Sequence, residues 1–477
     1  MKKKKQMPYG LYHLLTCVLA VVMAVLLILV SERAEDKWYL KADVSSDGVT
    51  QLSDYTCSHL DALEEDVLLY PVFSAAYDST VRDLVTETLA KMSAVCEHIH
   101  VEEIDPVTQP QRITALSGDA QSVENGTIFI TNEDGTRIIR LEPDDLLFSR
   151  TVMDEEYTIY CGEAQLIGAI SRVCTENPVG VWFITGHGEA SEEDCSLLAL
   201  QLRSNGFDVH SGELGRISPA ATDILLLIDP QNDLTGDEAQ TLVSFLDDGG
   251  RALIACGADT PLDRLTQLRT VCSLYGLDFQ SGWVVESTQE STRYVDSPEY
   301  LSPALADALA EDVTGRVILP RACALATPAI RPSVTVTKLL ETSTRAVLHP
   351  NADGSSLDAQ DNDTSGQFLL GAVAKKSSGT ALCLLSSADM FKDATEISGA
   401  SVLDASDDLD LLTWCVTDMS DLDQTASLDA GVKRLAAQRI TFDNASSRQR
   451  VTILSIALVP CILLIVMAVV LLKRRRL

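Results

Sequence analysis

The stretch from Val179 to Gly257 constrains the fold most, because apolar runs and helix signals alternate there at strand and helix lengths. Three apolar runs, Val179 to Ile184, Ile224 to Ile228 and Ala252 to Ala255, are short and bounded by Gly, Pro and Asp. Runs of this kind suit strands covered on both faces, as in parallel sheets. Between them the pattern predicts two helices. The first opens at Ser191 with Asp194 three residues on, and sets Cys195, Leu198, Ala199 and Leu202 on one face before Gly206. The second opens at Thr235 with Glu238 and buries Ala239, Leu242, Val243 and Leu246 ahead of Gly249 and Gly250. The expected fold class is α/β, with a doubly wound, mostly parallel sheet.

Two apolar runs set the expected topology. Leu11 to Val30 and Val451 to Leu472 contain no Lys, Arg, Asp or Glu, and each reaches the roughly 20 residues that cross a hydrocarbon core. All 69 acidic residues lie between them, while eight of the 37 Lys and Arg sit at the extreme ends, Lys2 to Lys5 and Lys473 to Arg476. The middle therefore sets 29 basic against 69 acidic residues, a net charge of −40. Basic clusters beside both runs predict a two-pass protein of the cell membrane with both termini cytoplasmic and the central domain outside. A signal peptide is the competing reading of the N-terminus. The SERAED that follows Val30 has no clear pair of small residues at cleavage spacing, which favours an uncleaved anchor. The acidic middle argues against nucleic acid and against an anionic lipid surface as partners.

Segmentation follows from these features. Basic tails occupy 1–10 and 473–477, transmembrane helices 11–30 and 451–472, a smaller N-terminal α/β subdomain 31–160, a larger α/β domain 161–425, and a linker 426–450. Within the first subdomain the pattern predicts a strand near Trp38 to Asp47, a helix capped at Ser53, an amphipathic helix over 81–95, and a strand in HIHVEEIDP. A hairpin over 127–141 follows from the NEDG turn signal. Gly162 to Cys174 reads as a helix feeding the central strand, and Leu262 to Tyr275 as another. Asn351 to Gly366 is acidic and of low complexity, and is expected to be a disordered insertion. Beyond it, two strands flank a turn from Gln367, and Asp407 to Thr417 forms a helix carrying Trp414.

Several residues invite a chemical reading. His187 lies between two glycines at the carboxyl end of a strand, where open α/β sheets bind ligands, with Glu189 and Asp229 as its expected neighbours. The competing reading, a tight turn with His187 bonding backbone groups, is preferred, so this edge is only a possible ligand edge. Cys256 ends a strand where a nucleophile would stand, yet the only later histidine, His349, has no His-x-Glu around it. A buried thiol is the better reading there. His98 and His100 share one strand face without a third ligand at diagnostic spacing. Asp361, Asp363, Ser365 and Gly366 mimic the opening of a calcium loop, but its twelfth position is Ala372. Ten of the 12 Cys lie in the central portion without zinc-type spacing and read as reduced thiols. With no Walker motif, H-E-x-x-H or G-x-S-x-G, no catalytic residue, cofactor or metal ligand is assigned.

The same central stretch resembles the gliding-motility GldG family, auxiliary subunits of ABC transport systems. The matching residues are the strand followed by Thr185, Gly186, His187, Gly188 and Glu189, the Asp229-Pro230 pair, the LTGDE helix start and the DDGG before the next strand. The sheet also looks like that of class I glutamine amidotransferases, a likeness of fold alone. The GldG resemblance implies a non-enzymatic, membrane-anchored auxiliary subunit of an ABC-2-type export complex, partnered by a multi-span permease and a cytoplasmic ATPase subunit. The alternatives are an extracytoplasmic hydrolase or amidase using the His187 edge, and a surface module that binds glycan or peptide.

Overall fold

Every residue of Ile224–Ile228 is buried, and its side chains divide by parity between two cores. Ile224, Leu226 and Ile228 join one core with Leu198, Leu202, Leu411 and Leu412, whereas Leu225 and Leu227 join the other with Leu242, Leu246, Leu268 and Val271. A strand apolar at every position must be covered on both faces. This computed structural model describes residues 51–74, 80–117, 123–152, 155–286, 294–296, 298–310, 316–328, 333–350, 362–397, 400–420 and 433–435. The two expected membrane spans and the strand expected near Trp38 lie outside them. No helix among the described residues is long and apolar enough to cross a membrane.

The first part of the fold is a four-stranded sheet of β1 (Val67–Pro71), β2 (Ile99–Val101), β3 (Ile128–Asn132) and β4 (Ile138–Leu141), in the order β2-β1-β3-β4. β2 runs parallel to β1, and the others are antiparallel, with β3 and β4 forming the expected hairpin. Three helices cover it: α1 (Asp54–Asp61), α2 (Thr80–Val95) and α3 (Gly162–Cys174). Ser53 caps α1 by accepting from the Thr56 N–H at 3.2 Å, and its own N–H donates to Glu163 in α3 at 2.6 Å. Leu166, Ile167, Ile170 and Val173 of α3 pack in this first core. The same helix also meets Ser196–Ser204 of the second part, where Gln165 Nε2 donates to the Leu200 carbonyl at 2.9 Å and to Ser204 Oγ at 2.8 Å.

The second sheet has ten strands. Its parallel half comprises β5 (Gly180–Thr185), β6 (Asp208–Glu213), β7 (Ile224–Ile228) and β8 (Arg251–Ala255), and later elements add β9 (Asp278–Gln280), β10 (Glu299–Tyr300), β11 (Ala324–Ala326), β12 (Val334–Glu341), β13 (Leu369–Lys376) and β14 (Ala381–Leu385). The order is β9-β11-β13-β14-β8-β7-β5-β6, with β12 on β13 and β10 on β12. β14 pairs parallel with β8, while every pair beyond it is antiparallel. The expectation of a mostly parallel sheet is corrected to a mixed α/β sheet. The reason is connectivity: β13 and β14 are joined by a tight turn rather than by a helix, and a tight turn joins only antiparallel neighbours. Thr364–Gly366, at the end of the expected insertion, is a strand paired with Ala346–His349.

Helices on the two faces are α4 (Ser196–Ser204) and α7 (Asp408–Ser420) on one, and α5 (Gly236–Asp247) and α6 (Thr266–Leu274) on the other. α5 starts as expected, on a capping box between Thr235 and Glu238. α4 does not. Ser191 and Asp194 exchange hydrogen bonds, at 2.8 and 3.2 Å, but they close a turn, and the helix begins only at Ser196. Its first N–H groups are met by Asp393, which accepts from Ser196 at 2.8 Å and from Leu197 at 3.3 Å. The cap is a tertiary contact that no local pattern reveals. α6 is likewise shorter than the expected helix, because a 3₁₀ turn at Leu262–Arg264 precedes it and Asp233 accepts from Gln267 and Leu268 at its start.

Candidate functional site

The edge formed by the carboxyl ends of β5, β7, β8 and β14 carries His187, Glu189, Asp229 and Cys256 of the side chains singled out by sequence. β5 lies between β6 and β7, so the chain reverses direction across the sheet between β5 and β7, the position where open α/β sheets commonly bind ligands. His187 and Asp229 stand in the loops on either side of this point.

His187 is buried and fully engaged. Its backbone N–H donates to Glu189 at 2.6 Å, and its carbonyl accepts from the N–H groups of Gln231 and Asn232, both at 2.9 Å. Nδ1 lies 3.2 Å from Glu189 Oε1, and Nε2 lies 3.1 Å from Glu238 Oε2. Glu238 is the same residue that caps α5, so the ring joins the strand-end turn to the helix start. Hydrogen bonds from the Thr235 hydroxyl and N–H, with His187 beyond them, hold the Glu238 carboxyl below its ordinary value. Gly188 has φ +79°, and a Cβ there would meet Gln231 Cβ at 3.0 Å. The glycine is therefore set by a left-handed turn and a close approach together. The expectation that His187 bonds backbone groups is corrected in one respect: its main chain does so, but its ring takes two carboxylates.

Asp229 does not join His187. It occupies a left-handed backbone conformation (φ 56°) after β7, and its carboxylate accepts from the Thr260 hydroxyl at 2.6 Å and from Lys392 at 2.5 Å. Lys392 also reaches Asp389 at 3.1 Å, Asp389 pairs with Arg321, and Arg321 reaches Asp259 at 3.1 Å. Arg321 is left-handed as well (φ 46°), and these two are the only non-glycine residues with positive φ among the described residues. The chain of alternating charges lines a cleft of about 230 Å³ with Gln231, Gly257 and Ala388. Burial opposes the charge on Lys392, but the Asp229 hydrogen bond and the two carboxylates outweigh it and hold the ammonium above its ordinary value. Arg321 is held up in the same way, against burial, by Asp389 and then Asp259. Neither cation was singled out by sequence. The one local signal was the DMFKD segment at the end of β14, and its partners lie far away in the chain.

The remaining candidates take quiet places. Cys256 is buried, and burial pushes its thiol well above the ordinary value. Its carbonyl accepts from the Cys323 thiol, and no histidine is among the hydrogen-bond partners of either. His349 is buried against Asp363 at 2.9 Å. His98 and His100 both approach Asp66, at 2.8 and 3.6 Å, on a half-exposed face. All ten cysteines among the described residues are free, and among those residues no group of His, Cys, Asp and Glu is arranged to hold a metal ion.

No family model and no curated protein matches the chain. Solved structures resemble it at low scores. The mmIFT52 N-terminal domain has 17% identity over 51% of this chain and 98% of that one, with a TM-score of 0.39. A GMP synthase protein from Thermoplasma acidophilum has 9% identity over 52% of this chain and 96% of that one, with a TM-score of 0.26. An alkylhydroperoxide reductase AhpF domain from Enterococcus faecalis has 11% identity over 34% of this chain and 77% of that one, with a TM-score of 0.20. At these scores the likenesses carry no argument about activity.

Proposed function

We propose that the chain is a non-enzymatic auxiliary subunit of an ABC-2-type export complex, anchored by two membrane spans with its α/β domain outside the membrane. The observation that carries this reading is the charge pattern of the sequence: two uncharged apolar runs, each backed by a basic cluster, enclose every acidic residue. The TGHGE turn and its companion motifs supply the GldG resemblance, and with it the expected partners, a permease and a cytoplasmic ATPase. A chain with two spans and no P-loop motif does not pump alone. The engagement of both His187 ring nitrogens, and the burial of Cys256, support a structural role for the residues that most resemble catalysts. The likeness to the class I amidotransferase sheet is one of architecture only.

In the second expected span, Pro460 would deny the carbonyl of Ile456 its helical partner, and Ser455, Ala457 and Ala468 would permit close approach of another helix. The spans are therefore proposed to bind the permease as well as to anchor. The test replaces both with unrelated apolar helices of equal length and purifies the protein from native membranes. Loss of a co-purifying permease and ATPase is the expected result. Undiminished recovery would make the spans mere anchors, and the native chain emerging without either partner would overturn the transport reading.

A further inference from the structure

The cleft after β7, β8 and β14 has a chemistry that selects its ligand class. Its charged side chains run Asp229, Lys392, Asp389, Arg321, Asp259, and each is paired with the next. An anion entering this row meets three carboxylates against two cations and must compete with Asp229, Asp389 and Asp259 for Lys392 and Arg321, while a cation must compete with Lys392 and Arg321 for the carboxylates. A neutral ligand with hydroxyls has no such cost. Carboxylates offer about four acceptor sites each, an ammonium three donors and a guanidinium five. Asp229 uses its carboxylate on Thr260 and Lys392, Lys392 donates to two carboxylates, and Arg321 donates through Nε and one terminal nitrogen. Donors and acceptors therefore alternate along the wall with capacity to spare, the arrangement that a row of hydroxyls, each able to donate and accept, satisfies at once.

The shape fits the same class. A second hollow of about 420 Å³ shares Arg321 and Lys392 as a common wall and adds Tyr294, Thr395 and Glu396. The second hollow alone lies within the roughly 300–1,000 Å³ of ordinary small-molecule sites, and the cleft beside it is smaller. Both left-handed non-glycine residues, Asp229 and Arg321, contribute side chains to this wall. Strain held at two loops that converge on one cleft is found where a side chain must be aimed.

We propose that this cleft binds a neutral, polyhydroxylated ligand, a sugar unit of a glycan. Asp229 and Asp389 accept from its hydroxyls, and Lys392, Arg321 and Gln231 donate to them. The site adjoins the His187 brace through Gln231, whose N–H donates to the His187 carbonyl, and it does not rest on the transport reading, since it requires only the folded domain.

The test uses the full chain in lipid nanodiscs, which avoids glycoside detergents, titrated by calorimetry with cellobiose, maltose, chitobiose and mannobiose, and with glycine and inorganic phosphate as charged probes. Saturable binding of at least one disaccharide is expected, weakened about tenfold by Lys392→Gln and by Gln231→Ala, with His98→Ala unchanged. Gln231 is exposed and its side chain bonds only the Asp229 carbonyl, so Gln231→Ala keeps the test valid if the lysine variant misfolds. Binding of no disaccharide, equal affinity in wild type and Gln231→Ala, or tighter binding of glycine or phosphate would overturn the proposal. Because no permease takes part, failure here leaves the transport reading standing, and the reverse holds as well.

Discussion

The loop after β5 and the cleft after β7, β8 and β14 lie along one edge of the same sheet, and both join cationic groups or imidazole to carboxylates. In the loop, a buried ring spends both nitrogens on Glu189 and Glu238 and ties a turn to a helix cap. In the cleft, Lys392 and Arg321 keep a quarter or more of their side chains exposed, and their pairs face a hollow. The same chemistry closes one place and leaves the other open. Burial and the number of unused donors separate a structural centre from a candidate binding wall, whereas residue type does not.

Substitutions sharpen this contrast. The largest effect is expected for His187→Ala, which strands the fully covered Glu189 side chain and one face of Glu238, and costs on the order of 3 kcal/mol in chemical denaturation. Lys392→Gln removes a partner from Asp229 and Asp389 at a wetter place, and is expected to cost only about 1–2 kcal/mol. If the lysine variant proved the less stable of the two, the cleft would be the brace.

A smaller effect distinguishes the two places by pH. The folded Glu238 carboxyl lies below its ordinary value of 4.5, so the folded state holds fewer protons there than the unfolded chain. The stability it contributes is present above that value and disappears as pH falls through the lower folded value. Glu238→Gln is expected to flatten this part of the acid limb of a stability-against-pH curve. An unchanged acid limb would mean that the Thr235 and His187 hydrogen bonds do not favour the ionised Glu238 carboxyl in the folded state.

Much of the parallel half was legible. The Thr235 and Glu238 capping box follows from local spacing, because its partners lie three residues apart, and β7 and β8 follow from their uninterrupted apolar runs. In the antiparallel half the β13–β14 hairpin was legible from Gln367 onward, but β9 and β11 were not, since they are three residues long and carry too little pattern to read. The start of α4 was misplaced because Asp393, rather than Ser191, meets its N–H groups. At the site, sequence found His187, Glu189 and Asp229 but grouped them together. Asp229 turns away because its left-handed backbone directs it to Lys392, 163 residues further on, and no local signal encodes that partner.

The most direct measurement of the brace is a double-mutant cycle between His187 and Glu238, read by equilibrium unfolding of His187→Ala, Glu238→Gln and the double variant at neutral pH. A shared brace predicts that the two losses overlap, with a coupling of about 1–3 kcal/mol. Additive losses, or a His187→Ala protein of undiminished stability that has lost a hydrolytic activity, would contradict it and turn the edge after β5 into an active site.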